Sequence, residues 1–317
     1  MTQGTFDAMP RRLFSCTPTK LDTWLSCPRR YRFTYLERRQ KGLPWAHNSV
    51  GSSVHNALRD WWLLPVERRT PDEAGALVTR NWLTDGFRDD AQSAEWRERA
   101  AAMTTAYAAT LDPDDEPAGV ERTVSTRTDT LALQGRVDRI DRRPSDDGGE
   151  ELVIVDYKTG RRPLSVDDAR SSLALAVYVL AARRTLRTRS RRVELHHLPT
   201  ASVAAYDHTE ESLARHVRRA EQIAEEAQRA HELWADGLSA RAEDAAVGDA
   251  DAIEAIDAVL PPAPGPMCSW CDFRRHCPEG RDASTALDPW AGLATAADAA
   301  ADRDAAAAPT LPEPVID

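Results

Sequence analysis

Three hydrophobic rhythms follow one another along the chain. Up to about residue 110 the apolar positions recur at helical spacing. Leu21, Trp24 and Leu25 mark a short helix from Thr19 that stops where Pro28 follows Cys27, "SVGSSVHNALRDWWLL" (49–64) marks a second, and Leu77, Trp82, Phe87, Trp96 and Tyr107 anchor helix over 72–110. At Val120 the period drops to two. "VERTVSTRTDTLALQGRVDRIDRRP" predicts two or three antiparallel strands, and "DDGG" turns the chain into a strand over 151–158. Past Gly160 and Pro163 the helical rhythm returns over 166–186. A strand near 192–198, a hairpin partner at 202–207 and a long helix over 209–236 follow. The pattern is that of an α/β protein with a helical first third and no internal repeat.

With 317 residues, 42% of them hydrophobic, the chain can bury a sizeable core. No run of about 18 apolar residues predicts a membrane span, and the opening "MTQGTFDAMPRRLF" has no apolar signal core, so a cytoplasmic location is expected. Residues 1–18 carry no periodicity and read as a flexible lead. A single domain is expected over 19–280: a helical part (19–115), a core (120–236), a linker (237–264) and a cysteine segment (265–280). Residues 281–317, rich in Ala and Asp, read as a disordered acidic tail.

The net charge of −10 argues against nucleic acid until its distribution is considered. Between Arg11 and Lys41 nine basic residues face two acids, Asp22 and Glu37, and "RRTLRTRSRR" (183–192) adds six arginines. In the first of these runs Arg29, Arg30 and Arg32 alternate with Tyr31, Phe33 and Tyr35. Such a mixture offers phosphate neutralisation together with ring faces for unpaired bases, and single-stranded DNA is the expected partner.

The strand "LVIVDYKTGRRP" (152–163) ends in chemistry. Alternation puts Leu152, Ile154, Asp156 and Lys158 on one face and Val153, Val155 and Tyr157 on the other. The Cα atoms of Asp156 and Lys158 should stand about 6.6 Å apart, leaving room for an ion or water between their tips. Mg²⁺ binds through one or two carboxylates, and "QGRVDRID" supplies a second at Asp138, on a strand that can pair beside the first. Asp138 and Asp156 would hold the metal with the Tyr157 carbonyl nearby, and Lys158 would orient water or stabilise charge on a phosphate.

Taken together, "GRVDRID" and "VDYKTG" resemble the motifs of the PD-(D/E)XK nuclease superfamily, in particular its RecB- and AddB-like exonucleases, over about residues 19–280. The resemblance implies a restriction-endonuclease-like core, a central mixed β-sheet flanked by helices. It also implies a metal-dependent DNA nuclease of recombination or repair, with Asp138 and Asp156 as ligands of Mg²⁺ or Mn²⁺ and Lys158 catalytic. His55, in "GSSVHNAL", matches a helix-borne histidine that joins the metal shell. Tyr178 matches the tyrosine of a Gln-x-x-x-Tyr motif whose glutamine is replaced here by Ala174, a departure that bears on substrate grip.

Five cysteines in a reducing compartment suggest a metal site over disulfides. "CSWCDFRRHC" sets Cys268, Cys271 and Cys277 within ten residues, and Cys27 lies about 240 residues upstream. Spacing alone leaves zinc and an iron–sulfur cluster both open. The resemblance implies a 4Fe-4S cluster on all four, stapling the two ends of the domain, with Cys16 left over. No GxxxxGK[ST] pattern occurs, so no nucleotide cofactor is expected and a separate helicase would feed the enzyme duplex DNA. Two alternatives stay open: a non-catalytic cluster-bearing scaffold that binds DNA, and a nuclease that trims DNA for CRISPR adaptation.

Overall fold

A computed structural model of the chain describes residues 13–145 and 148–293. The helical first third holds α1 (Pro18–Ser26), α2 (Pro28–Tyr31), α3 (Ala46–Trp62), α4 (Pro71–Arg80) and α5 (Asp90–Ala108). Thr17, Thr70 and Asp89 cap α1, α4 and α5 by accepting from backbone N–H groups of their first turns. The single helix expected over 72–110 is therefore two, broken where Asp89 leaves the helical region to cap α5. The helix expected over 166–186 is likewise split into α6 (Val166–Ser171) and α7 (Leu173–Leu186), because Ser172 takes an extended conformation and caps the second.

Six strands form one mixed sheet: β1 (Phe14–Cys16), β2 (Gly119–Arg127), β3 (Leu131–Pro144), β4 (Glu150–Lys158), β5 (Ser190–His197) and β6 (Ser202–Asp207). The long β3 organises it. Antiparallel β2 runs along one edge of β3, while the other edge is shared by β1, parallel at Leu131–Leu133, and β4, antiparallel at Arg139–Pro144. Between those two partners the β3 edge is open, and Asp138 lies at the end of the gap. β4 continues past its last β3 pair, Val155 opposite Arg139, held by parallel β5 through Lys158.

Strand alternation divides the core. Val153, Val155 and Tyr157 face α3, α4 and α5, whereas Leu152 and Ile154 face α7. A third cluster joins α1, β1 and the long helix α8 (Glu210–Ala235) through Leu21, Trp24, Leu131, Val177 and Ile223.

Three segments differ from expectation. In the stretch expected to be a flexible lead, Phe14–Cys16 pair with β3; the rest of that lead, 1–12, lies outside the described residues. The expected linker folds as α9 (Ala242–Ala246) and α10 (Ala250–Asp257), because Ala252, Ile256 and Leu260 recur at helical spacing within an Ala/Asp-rich run and are all buried. At the expected boundary between cysteine segment and disordered tail, α11 (Pro278–Asp282) runs on into the tail, and within the tail Trp290 and Leu293 pack on the core that includes α3; residues 294–317 lie outside the description. Among the described residues no helix is long and apolar enough to cross a membrane.

Candidate active site and cysteine centre

Strand register brings three carboxylates into one row. On β3, Asp138 follows the β2 register that sets Val120 opposite Arg139 and Arg122 opposite Val137, so Glu121 of β2 lies beside it on one side. On the other side the β3–β4 register, continued by one residue beyond Arg139 and Val155, places Asp156. Asp138 replaces the next ladder bond with its side chain: the Tyr157 N–H donates to Asp138 Oδ2 at 2.8 Å. Glu121 has a left-handed backbone, φ 46°, which L-residues with a Cβ rarely adopt.

α3 carries His55 into this row. His55 Nδ1 stands 3.4 Å from Asp138 Oδ1 and 4.0 Å from Glu121 Oε1, and His55, Glu121 and Asp138 each offer a ligand atom within 4.8 Å of the others. Lys158 Nζ lies 2.6 Å from the buried Asp156 Oδ2. The space expected between the two tips is closed by that ion pair. Tyr178 of α7 packs over Gly135, where any Cβ would overlap the tyrosine ring.

Charge crowding sets the titration of the row. Burial raises the Asp156 carboxyl, Lys158 opposes this and Asp138 adds to it. Burial and the Asp138 charge also raise Glu121. Burial lowers His55, but the carboxylates of Asp138, Asp156 and Glu121 outweigh it and hold the imidazole above its usual value. Lys158 stays charged because Asp156 outweighs its burial. Burial, then the charges of Asp156 and Asp138, push the Tyr178 phenol up to about 12. Two carboxylates and an imidazole with ligand atoms this close fit a divalent cation, which would relieve the mutual repulsion of the acids.

The sequence reading brought Asp138, Asp156, Lys158, His55 and Tyr178 to this site, and the structure collects all five around it. The Tyr157 N–H supports Asp138, while its ring is buried on the opposite face against Trp62 and Tyr107. Glu121 was missed. Its signal was available only through strand pairing, which aligns "VER" of β2 with "VDR" of β3.

The four expected thiols also converge. Cys27, Cys268, Cys271 and Cys277 line one cavity of about 70 Å³. Cys27 Sγ accepts from the N–H groups of Arg30 and Ala263, both at 3.4 Å, and Arg29 Nη1 approaches Cys277 Sγ at 3.6 Å. A Cβ on Gly280 would touch both Cys277 Sγ and Cys268 Sγ. N–H donors aimed at sulfur suit thiolates bound to a cationic centre. Cys16 stands apart, and burial pushes its thiol up to about 11.

The basic-aromatic stretch is corrected by the structure. Arg29 is buried between Asp257 and Glu279, Arg32 is buried against Glu37, Tyr31 is buried with its hydroxyl 2.8 Å from His231 Nε2, and Phe33 packs on Phe273. These residues brace the cysteine segment, and the arginine charges are spent on acids, remote in sequence for Arg29 and local for Arg32. Arg30 alone of the three arginines lines the cleft that contains His55, Glu121 and Asp138. That cleft has a volume of about 1200 Å³ and also includes Arg59 and Arg136.

Comparison with known proteins completes the description. The family described as the PD-(D/E)XK nuclease superfamily matches residues 15–278. Among solved structures, the chain is similar to the 2.19 Å crystal structure of a "Putative exonuclease" from Eubacterium rectale, with a TM-score of 0.39, 11% identity, and coverage of 70% of this chain and 84% of that one. No curated protein matches it in sequence.

Proposed function

The chain belongs to the PD-(D/E)XK nuclease superfamily, and from that premise we propose that it is a RecB-like exonuclease acting on single-stranded DNA in recombination or repair, dependent on Mg²⁺ or Mn²⁺ and carrying a 4Fe-4S cluster. The observation that carries this reading is the row Glu121, Asp138 and Asp156 on three adjacent strands, with Lys158 and His55 beside it.

Asp138, Asp156, His55 and Glu121 would hold the divalent cation, which when bound polarises a phosphoryl oxygen and activates water. The residues themselves do the rest. Asp156 keeps Lys158 charged and aimed into the row, where the ammonium stabilises negative charge developing on the phosphate and orients the attacking water. The Tyr157 N–H fixes the Asp138 carboxylate. Tyr178, neutral at physiological pH, offers a hydroxyl at the rim without adding charge.

For the cysteine centre, four thiols in one cavity support a four-thiolate ligand set, and the likeness of the motifs to those of RecB- and AddB-like nucleases favours a cluster over zinc. Residues 19–280 then act as one nuclease domain closed by those ligands, fed duplex DNA by a helicase.

The test is digestion of end-labelled single-stranded DNA by anaerobically purified protein with Mg²⁺ or Mn²⁺, beside Lys158→Ala. Cleavage should fall by roughly 10²–10³-fold in the variant while binding changes little. Binding without cleavage by the wild type under either metal would replace the nuclease with a DNA-binding scaffold.

A further inference from the structure

The cysteine segment does more than tie the chain ends together, because it forms a wall of the cleft. Trp270 stands between Cys268 and Cys271 and lines the same cleft as His55, Glu121 and Asp138. Its ring meets Trp45 at 5.0 Å and His47 at 5.5 Å, and Trp45 and His47 stack at 6.0 Å with an interplanar angle of 29°.

Trp45 is the residue that caps α3, the helix bearing His55, so this ring cluster links the cysteine segment to the helix of the metal row. Asp272 fixes the junction. Its carboxylate accepts from Trp45 Nε1 at 3.1 Å and its carbonyl accepts from the Gly42 N–H at 2.8 Å.

A purely structural aromatic cluster would be closed to solvent, as Trp61 and Phe273 are at 1% exposure. Trp45, His47 and Trp270 instead stay partly open to the cleft, and Met267 beside them is 74% exposed. The cleft, at about 1200 Å³, exceeds the roughly 300–1,000 Å³ of small-ligand pockets. Arg30 supplies positive charge along it and lines both the cleft and the cysteine cavity, while Arg59 and Arg136 also line the cleft, paired with Asp60 and Glu121.

Ring faces beside arginines in an open cleft match an unpaired nucleobase on a charged backbone. Paired bases in a duplex keep their faces covered, so such a wall selects single strands. We propose that Trp45, His47 and Trp270 form a stacking wall for an unpaired nucleobase, making the cysteine segment the base-binding side of the substrate cleft. The proposal rests on the nuclease reading above and specifies which groups grip that substrate.

The test separates stacking from phosphate contact. Binding of labelled oligothymidylate and of an equally long abasic tetrahydrofuran oligomer is measured by anisotropy in EDTA, on full-length protein with its visible chromophore intact. The wild type should prefer the base-bearing strand by roughly tenfold. Trp45→Ala and Trp270→Ala should reduce that preference to within about twofold while leaving abasic binding unchanged, and Trp45→Phe and Trp270→Phe should retain most of it.

No preference in the wild type, an undiminished preference in both alanine variants, or equal losses on both oligomers would overturn the wall. If Trp270→Ala loses its chromophore, Trp45→Ala and Trp270→Phe still decide the matter. Parallel digestion with Mn²⁺ keeps the two readings apart. Base preference without cleavage sinks the nuclease and leaves the wall, and cleavage without base preference does the reverse.

Discussion

Glu121 shows how one residue trades stability for a site. Its left-handed backbone costs an L-residue roughly 1–2 kcal/mol, and burial and the Asp138 charge disfavour its carboxylate, which Arg136 and His55 only partly offset. Glycine at 121 would remove both penalties while adding backbone entropy of roughly 0.5–1 kcal/mol to the unfolded chain. Glu121→Gly should therefore raise the metal-free melting temperature by about 2 °C and shrink the further rise produced by Mn²⁺, both read by thermal unfolding. A lower metal-free melting temperature with an unchanged Mn²⁺ response would mean that Glu121 is structural. The residue was illegible in the sequence because its partners are set by register between strands. Asp138, Asp156 and Lys158 could be read directly, since alternation along a strand fixes which side chains share a face. Arg29 looked like a phosphate ligand because its acids, Asp257 and Glu279, become neighbours only in the fold, whereas the partner of Arg32, Glu37, stands in the same stretch of sequence.

The elements were legible wherever periodicity was local, as in α3, β4 and α8, and their breaks were not, because Ser172 and Asp89 act as caps inside otherwise helical stretches. Contact between elements supplies two further tests. α7 crosses β3 at Gly135, and the Gly135→Ala Cβ would press into the Tyr178 ring, costing about 1–3 kcal/mol of unfolding free energy. The double variant with Tyr178→Ala should cost less than the sum of the two singles in urea melts, and additivity would show that the two residues do not meet. At the junction of β6 and α8, His208 bonds Ser212 Oγ at 2.9 Å and faces His216, Arg183 and Asp207. Burial, then the positive neighbours, lower it to about 4, and Asp207 only partly opposes them. The unfolded chain takes up this proton first as pH falls, so stability is complete above about 6.5 and is lost on descent towards 4, by about 2–3 kcal/mol at most. Urea midpoints should fall between pH 6.5 and 5, and His208→Gln should flatten that slope; an identical slope in the variant would assign the loss to other groups.

At the scale of the molecule, the two regions that flank the sheet in sequence are joined by Cys27 with the three late thiols, by Arg29 with Asp257 and Glu279, and by Phe33 with Phe273. Closing a loop of about 240 residues is entropically costly, and metal–thiolate bonds would offset it. Cys271→Ser should lose the visible chromophore together with several degrees of thermal stability, whereas a colourless variant with wild-type melting would remove the stapling role. The same geometry orders events in time. Residues 27–33 leave the ribosome long before their partners at 257–279, so contacts of very high sequence separation must form last, and slowly. The acids and the lysine are all synthesised by residue 158, yet the Trp270 side of the cleft arrives more than a hundred residues later. On the proposed reading a nascent chain therefore carries its acids and lysine with only Trp45 and His47 of the wall, and synthesis itself delays the moment at which Trp270 completes the cleft.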